Sequence, residues 1–268
     1  MACRDAYRRK MEKQNAERAQ QRKTEVKEFK KVKRLLFGVN SKIAANDLLQ
    51  NNIDMFEWVT RNKLYPNFWG RNISGEDKLT KEEVKFLHSK GCKIAAIYND
   101  AEEKKTEEQG KLLAKKVDIA ALEAGVPEGA AIFLEIADGE SVSRDFMRGF
   151  AQSLMSEGYT AGFKANTDAK YGFDKEYSRG MQTDKEIFSQ CLIWAVSPSL
   201  AEYDRITTSH LIHPDNWKPF APSGIKRGEI ALWQYGKECH PIEDDEGKET
   251  TFNIDLVRND DIIIEKMF

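Results

Sequence analysis

The side chains in this sequence that could do chemistry are a few carboxylates, a lysine, and a set of indole and phenol rings. The stretch Ala131 to Glu140 reads AIFLEIADGE, an apolar strand interrupted by Glu135, with Asp138 where the strand runs out. An unpaired buried charge is costly, so Glu135 needs a partner, a proton or a catalytic task. A carboxyl group in apolar surroundings holds its proton more tightly and can act as a general acid. Glycoside hydrolysis needs such an acid together with another carboxylate as base or nucleophile. Glu135 is the candidate acid, with Asp255 or Asp138 as the partner group. Lys164 supplies the competing reading. If it neighbours Glu135, the two form an ion pair that fixes the pocket and catalyses nothing, because a cation favours the charged carboxylate.

These residues must be positioned by regular elements, and the chain shows a rhythm. A helical pattern ending in glycine and followed by a short apolar strand recurs: VKFLHSKG then CKIAAIY, DIAALEAG then AIFLEI, GFAQSLMSEG then YTAGFKA. Helix, glycine cap and buried strand are the marks of βα units around a parallel sheet. RLLFGV, NFWGRNI, CLIWAV, EIALWQY and TFNIDLV bring the strands to eight, and GKECHPIEDDEGKET between the last two reads as a loop or hairpin. The spacing predicts an α/β fold, a modified (β/α)8 TIM-type barrel over residues 35–268 preceded by a long helix over residues 1–34. An open doubly wound sheet is the alternative, but the glycine-rich phosphate turns GxGxxG and GxxxxGK[ST] do not occur. No cofactor is expected.

In a parallel barrel, chemistry collects at the C-terminal ends of the strands. There the sequence puts Asn40, Arg71, Tyr98, Lys164, Trp194, Trp233, Gln234 and Tyr235 beside the acids, as candidate substrate-binding residues. Polar groups mixed with flat rings suit a sugar, whose C–H faces stack on aromatics while its hydroxyls take hydrogen bonds. Trp194 and Trp233 fit equally well as filling between barrel and helices.

LFGVNSKI, NFWGRNISG, GYTAGFKAN, ALWQYG and FNIDLV stand in an order that resembles a glycoside-hydrolase-like barrel domain of unknown function. That domain is related to the family-25 muramidases, the lysozyme type that cleaves bacterial cell-wall glycan. The resemblance covers roughly residues 35 to 268, and it implies a barrel acting on or binding peptidoglycan or a related polysaccharide. It also exposes departures. Where the family's first strand reads Gly-x-Asp, this chain has Gly38-Val39-Asn40. The muramidases carry Asp-x-Glu on strand four, with Glu as the essential acid, and FLEIA puts Glu135 at the Asp and Ala137 at the Glu. Tyrosines expected on strands two and five are Asn72 and Lys164, whereas Arg71, Trp194, Trp233, Gln234, Tyr235 and Asp255 keep the pattern. The resemblance thus implies lost or altered hydrolysis, leaving open a muramidase-like hydrolase, a silent carbohydrate-binding barrel, and an interaction scaffold.

The charge is polarised along the chain. Residues 1 to 35 hold 13 Lys/Arg against 5 Asp/Glu, a balance of +8, so with −2 overall the remainder carries −10. Interspersed acids and few aromatics make nucleic acid the weaker reading of this segment, and a solvated helix that recruits a protein partner the stronger. Cys3, Cys92, Cys191 and Cys239 form no CxxC pair and read as free thiols. HLIH at His210 to His213 lacks a third ligand at metal spacing, so no metal site is expected. Neither a secretory signal nor an apolar run of membrane-spanning length is visible, which fits a cytoplasmic protein or one exported without a signal.

Overall fold

The computed structural model describes residues 35–268 apart from 51, 62, 63, 100–102, 201, 203, 207–215, 242–249 and 259–262. The N-terminal helix expected over residues 1–34 and the HLIH segment lie outside the described residues.

From the N-terminus run β1 (Leu35–Asn40), α1 (Met55–Thr60), β2 (Phe68–Asn72), α2 (Lys81–Ser89) and β3 (Lys93–Tyr98). Next come α3 (Glu107–Ala124), β4 (Ala131–Ile136), α4 (Arg144–Ser156), β5 (Thr160–Ala165), α5 (Gly172–Thr183), α6 (Lys185–Phe188) and β6 (Leu192–Val196). The described chain closes with β7 (Arg205–Ile206), β8 (Leu232–Pro241), β9 (Phe252–Arg258) and α7 (Ile263–Lys266). The helix boundaries follow local chemistry. Thr80 and Thr106 cap α2 and α3 with their hydroxyls, and Gln109 completes a capping box at the latter. The glycines that end the three repeated helical patterns, Gly91, Gly125 and Gly158, have φ of 74°, 76° and 92°, a left-handed turn that favours glycine.

The sheet closes into a ring in the order β1-β2-β3-β4-β5-β6-β8-β9, with β6 pairing β8 and β9 returning to β1. The short β7 pairs only with β8. Strands β1 to β6 and β8 run parallel, but β9 is antiparallel to both of its neighbours. The ring of eight parallel strands anticipated from the pattern is therefore corrected at its last member. About ten residues separate β8 from β9, fewer than the dozen or more that a crossover to a parallel neighbour requires.

Alternation along each strand sorts side chains to the two faces of the ring. Phe68, Ala95, Ile97, Ala131, Phe133, Trp194, Leu232 and Val257 fill the interior, and Ile263 and Met267 of the C-terminal segment plug its lower end. The Ile94 and Phe268 backbones exchange hydrogen bonds of 2.6 and 3.1 Å there. The intervening residues face outward and pack with the helices in the larger outer core. Three interior positions are glycine because rings occupy the space a side chain would need. A Cβ on Gly38 would stand 2.1 Å from Phe68, one on Gly162 2.5 Å from Phe133, and one on Gly70 2.8 Å from Trp194. Among the described residues no helix is long and apolar enough to cross a membrane.

Candidate functional site

Above the apolar filling, the inward positions turn polar. Asn40, Glu135 and Lys164 stand at the upper ends of β1, β4 and β5, Gln234 lies level with them early in β8, and β9 contributes Asn253 and Asp255 from the opposite direction. All of these but Asp255, together with the β1–α1 loop and Lys237 and Glu238 of β8, bound a cavity of about 500 Å³. That lies within the range of a small-molecule or short-oligomer site.

Asp255 lies beneath the floor, outside the cavity lining. It is fully buried, and both carboxylate oxygens are used: Oδ2 accepts the Asn40 amide at 2.5 Å and Oδ1 the Trp194 indole N–H at 2.8 Å. Burial pushes its pKa from 3.8 up to about 7, against the lowering effects of Lys164 and of the Asn40 and Trp194 hydrogen bonds. The network climbs from this floor to the lip. Asn253 Nδ2 donates to Asn40 Oδ1 at 2.8 Å, and Asn253 Oδ1 accepts the Glu238 N–H at 2.9 Å.

Glu135 and Lys164 are directly paired in register on neighbouring strands. The Lys164 ammonium donates to Glu135 Oε1 at 2.8 Å, and Asn99 Nδ2 donates to Oε2 at 3.1 Å, so both carboxylate oxygens have partners. Lys164 also lies 5.3 Å from the centre of the Trp194 ring, a cation–π placement. Trp194 itself packs edge-on against Phe133 at 5.3 Å. Asp138 lines the cavity from the exposed loop after β4. Glu140 braces that loop by accepting the Ala137 N–H at 3.0 Å and pairing with Lys104.

The structure thus brings Asn40, Glu135, Asp138, Lys164 and Gln234 to one mouth and sets Asp255 and Trp194 directly beneath. Arg71, Tyr98, Trp233 and Tyr235 stand elsewhere, for a reason of parity: each is one residue out of phase with the inward series. Tyr98, Trp233 and Tyr235 belong to the outer core. The Trp233 indole donates to the Ser197 carbonyl at 2.8 Å, and its ring meets Tyr235 and Trp217. Arg71 is buried outside the ring, where it pairs with Glu83 at 2.8 Å and donates to the Ser41, Lys42 and Asp77 carbonyls at 2.7 to 2.9 Å. Burial raises the Glu83 pKa while Arg71 opposes the rise. Arg71 therefore fixes the β1–α1 loop, whose Ser41 and Lys42 form part of the lip, and is a positioning residue.

The expected platform of stacked rings is not what lines the mouth. Trp194 is covered, and Phe252 is the aromatic residue among the lining. Asn253, Lys42, Lys237 and Glu238 went unrecognised as site residues. Asn253 carried a readable signal, since it lies two residues before Asp255 and so shares its face. A second cavity of about 270 Å³ adjoins the first along Ile136 to Asp138 and Asn166, and Tyr171 lines it. Among the described residues no cluster of three or more His, Cys, Asp or Glu could hold a metal ion.

Residues 65–258 match the sequence profile of the Rv2525c-like, glycoside hydrolase-like domain. No curated protein matches the sequence. An uncharacterized B. stearothermophilus protein of known structure superposes with a TM-score of 0.69 at 21% identity, over 87% of this chain and 100% of that one. A bacterial lysozyme from Streptomyces coelicolor superposes with a TM-score of 0.50 at 10% identity, over 86% and 96% of the respective chains. At such identities the likeness is one of fold.

Proposed function

The chain belongs to the Rv2525c-like, glycoside hydrolase-like domain family, and on that premise we propose that its barrel mouth binds a cell-wall-type glycan, peptidoglycan or a related polysaccharide, without cleaving it by the two-carboxyl route. The glycan part of this reading draws on the family, on the barrel shared with the S. coelicolor lysozyme, and on the amides of Asn40, Asn166, Gln234 and Asn253 around the cavity. Amide side chains both donate and accept, which suits sugar hydroxyls.

The absence of conventional cleavage rests on the closed Glu135–Lys164 pair. A general acid must carry a proton when it meets the leaving oxygen. Both Glu135 oxygens are engaged instead, Oε1 by the Lys164 ammonium at 2.8 Å and Oε2 by the Asn99 amide at 3.1 Å, so neither is free to deliver one. The residue two places on, which the muramidase pattern would make the acid, is Ala137. Asp255 lies under the floor with both oxygens engaged and has no path to a glycosidic oxygen.

The full-length protein should co-sediment with insoluble peptidoglycan while releasing no new reducing ends, and Glu135→Gln should leave that absence of turnover unchanged. Reducing-end release that disappears in Glu135→Gln would return the protein to the hydrolases.

A further inference from the structure

Glu238 is held in an unfavourable backbone conformation. Among the described non-glycine residues only Asn52 and Glu238 have positive φ, at 62° and 53°. Glu238 lies where β8 slips in register against β9, between Gly236 and Cys239. Such bulges re-aim side chains and are frequent beside functional sites. A left-handed residue other than glycine persists only where its surroundings over-determine it. Here the determinant is the amide chain, with Asn253 Oδ1 accepting the Glu238 N–H at 2.9 Å and Asn253 tied through Asn40 to the buried Asp255. Glycine would make this turn without strain, yet the position carries a carboxylate that lines the cavity.

The charges around that carboxylate do not balance. Lys164 is paired with Glu135 at 2.8 Å and Lys237 with Glu202 at 2.9 Å. Asp138 and Glu238 take no side-chain hydrogen bond or ion pair among the described residues, and Lys42 is the cavity-lining cation in the same condition. The Lys237 pKa is raised, first by its hydrogen bond to Glu202 and further by the fields of Glu238 and Asp138. The two unpaired acids therefore act on one region of the mouth.

We infer that Glu238 is a ligand-contacting, specificity-determining residue that selects a sugar face rich in hydroxyl and ammonium donors, that of an amino sugar, over an acidic one; this rests on the glycan reading above. A carboxylate accepts only, so it pairs with a vicinal diol or an ammonium and repels a uronate.

The experiment measures binding of the full-length protein to glucosamine hexamer, N-acetylglucosamine hexamer and galacturonate oligomer at pH 6, together with thermal melting, for wild type, Glu238→Gly and Glu238→Gln. Glu238→Gly releases the strain, so its melting midpoint should hold or rise by up to about 2 to 4 °C. Its glucosamine-hexamer affinity should nevertheless fall about 10- to 100-fold, the worth of a hydrogen bond to a charged group. Glu238→Gln keeps the backbone strain and should lose more affinity for glucosamine than for N-acetylglucosamine hexamer. Unchanged affinity in both variants, or galacturonate as the best wild-type ligand, overturns the assignment of Glu238 while leaving glycan binding standing. If wild type binds none of the probes, the glycan reading and the role of Glu238 fall together.

Discussion

Asp255 should make the stability of this barrel fall as pH rises through the weakly acidic range. Its carboxyl has a pKa near 3.8 when exposed and about 7 in the folded protein, burial being the chief cause. Below about pH 4 both states are protonated and the neutral form's contribution is fully present. Between there and about pH 7 the unfolded chain releases a proton that the folded chain retains, so folding loses about 1.4 kcal/mol per pH unit from this group. The total, over a difference of about three in pKa, is about 4 kcal/mol. Other carboxylates tilt the curve the opposite way, since Glu107 and Asp184 are held below their ordinary values, each chiefly by side-chain hydrogen bonds. The Asp255 contribution is therefore read as a difference between wild type and Asp255→Asn. The asparagine is neutral throughout, and its mismatched donor toward Asn40 carries a cost of about 1 to 3 kcal/mol that does not vary with pH. Urea unfolding at intervals from pH 4.5 to 8 should show wild type losing about 3 kcal/mol relative to the variant by pH 7.5. Parallel curves would refute the argument, and would mean that Asp255 is ionised at little cost across the whole range.

Two substitutions probe the packing that supports this floor. Gly70→Ala places a methyl 2.8 Å from both Trp194 and the Asn40 Cβ, and should destabilise by about 1 to 3 kcal/mol in denaturant titration. Arg71→Met strands the buried Glu83 carboxylate and should cost about 3 to 5 kcal/mol, measured the same way at neutral pH.

The ring itself was legible because its signals are local. Glycine caps, buried strands and their spacing fall where the structure has them, and each of the eight expected strands lies in the ring. The antiparallel course of β9 was half visible in GKECHPIEDDEGKET before it, which reads as a loop or hairpin. The pairing of Glu135 with Lys164 was readable too, since adjacent parallel strands set equivalent positions side by side. Tyr98, Trp233 and Tyr235 lie near strand ends but out of phase with the inward series, so nearness to an end does not place a ring in the mouth. Trp233, Gln234 and Tyr235 are consecutive, so they cannot all face inward, and counting from Phe133 to Glu135 or from Val257 to Asp255 gives the inward series directly. Glu238 was beyond reach. Its exposure to the cavity depends on a bulge, and nothing in GKECHP announces the extra residue.

Asn40 stands where the resemblance implies an aspartate. Asn40 Nδ2 lies 2.5 Å from the Asp255 carboxylate. Two carboxylates at that separation could not both ionise and would have to share a proton. An amide removes the conflict by donating to Asp255 while accepting from Asn253, whose own oxygen then accepts the Glu238 N–H. Donor direction therefore runs without interruption from the lip down to the Asp255 carboxyl, whose Oδ2 accepts. The same amide abolishes the proton-sharing acid pair that such a floor would otherwise hold. Glu135 is closed onto Lys164, and the carboxyl beneath it, Asp255, is buried with both oxygens engaged by Asn40 and Trp194.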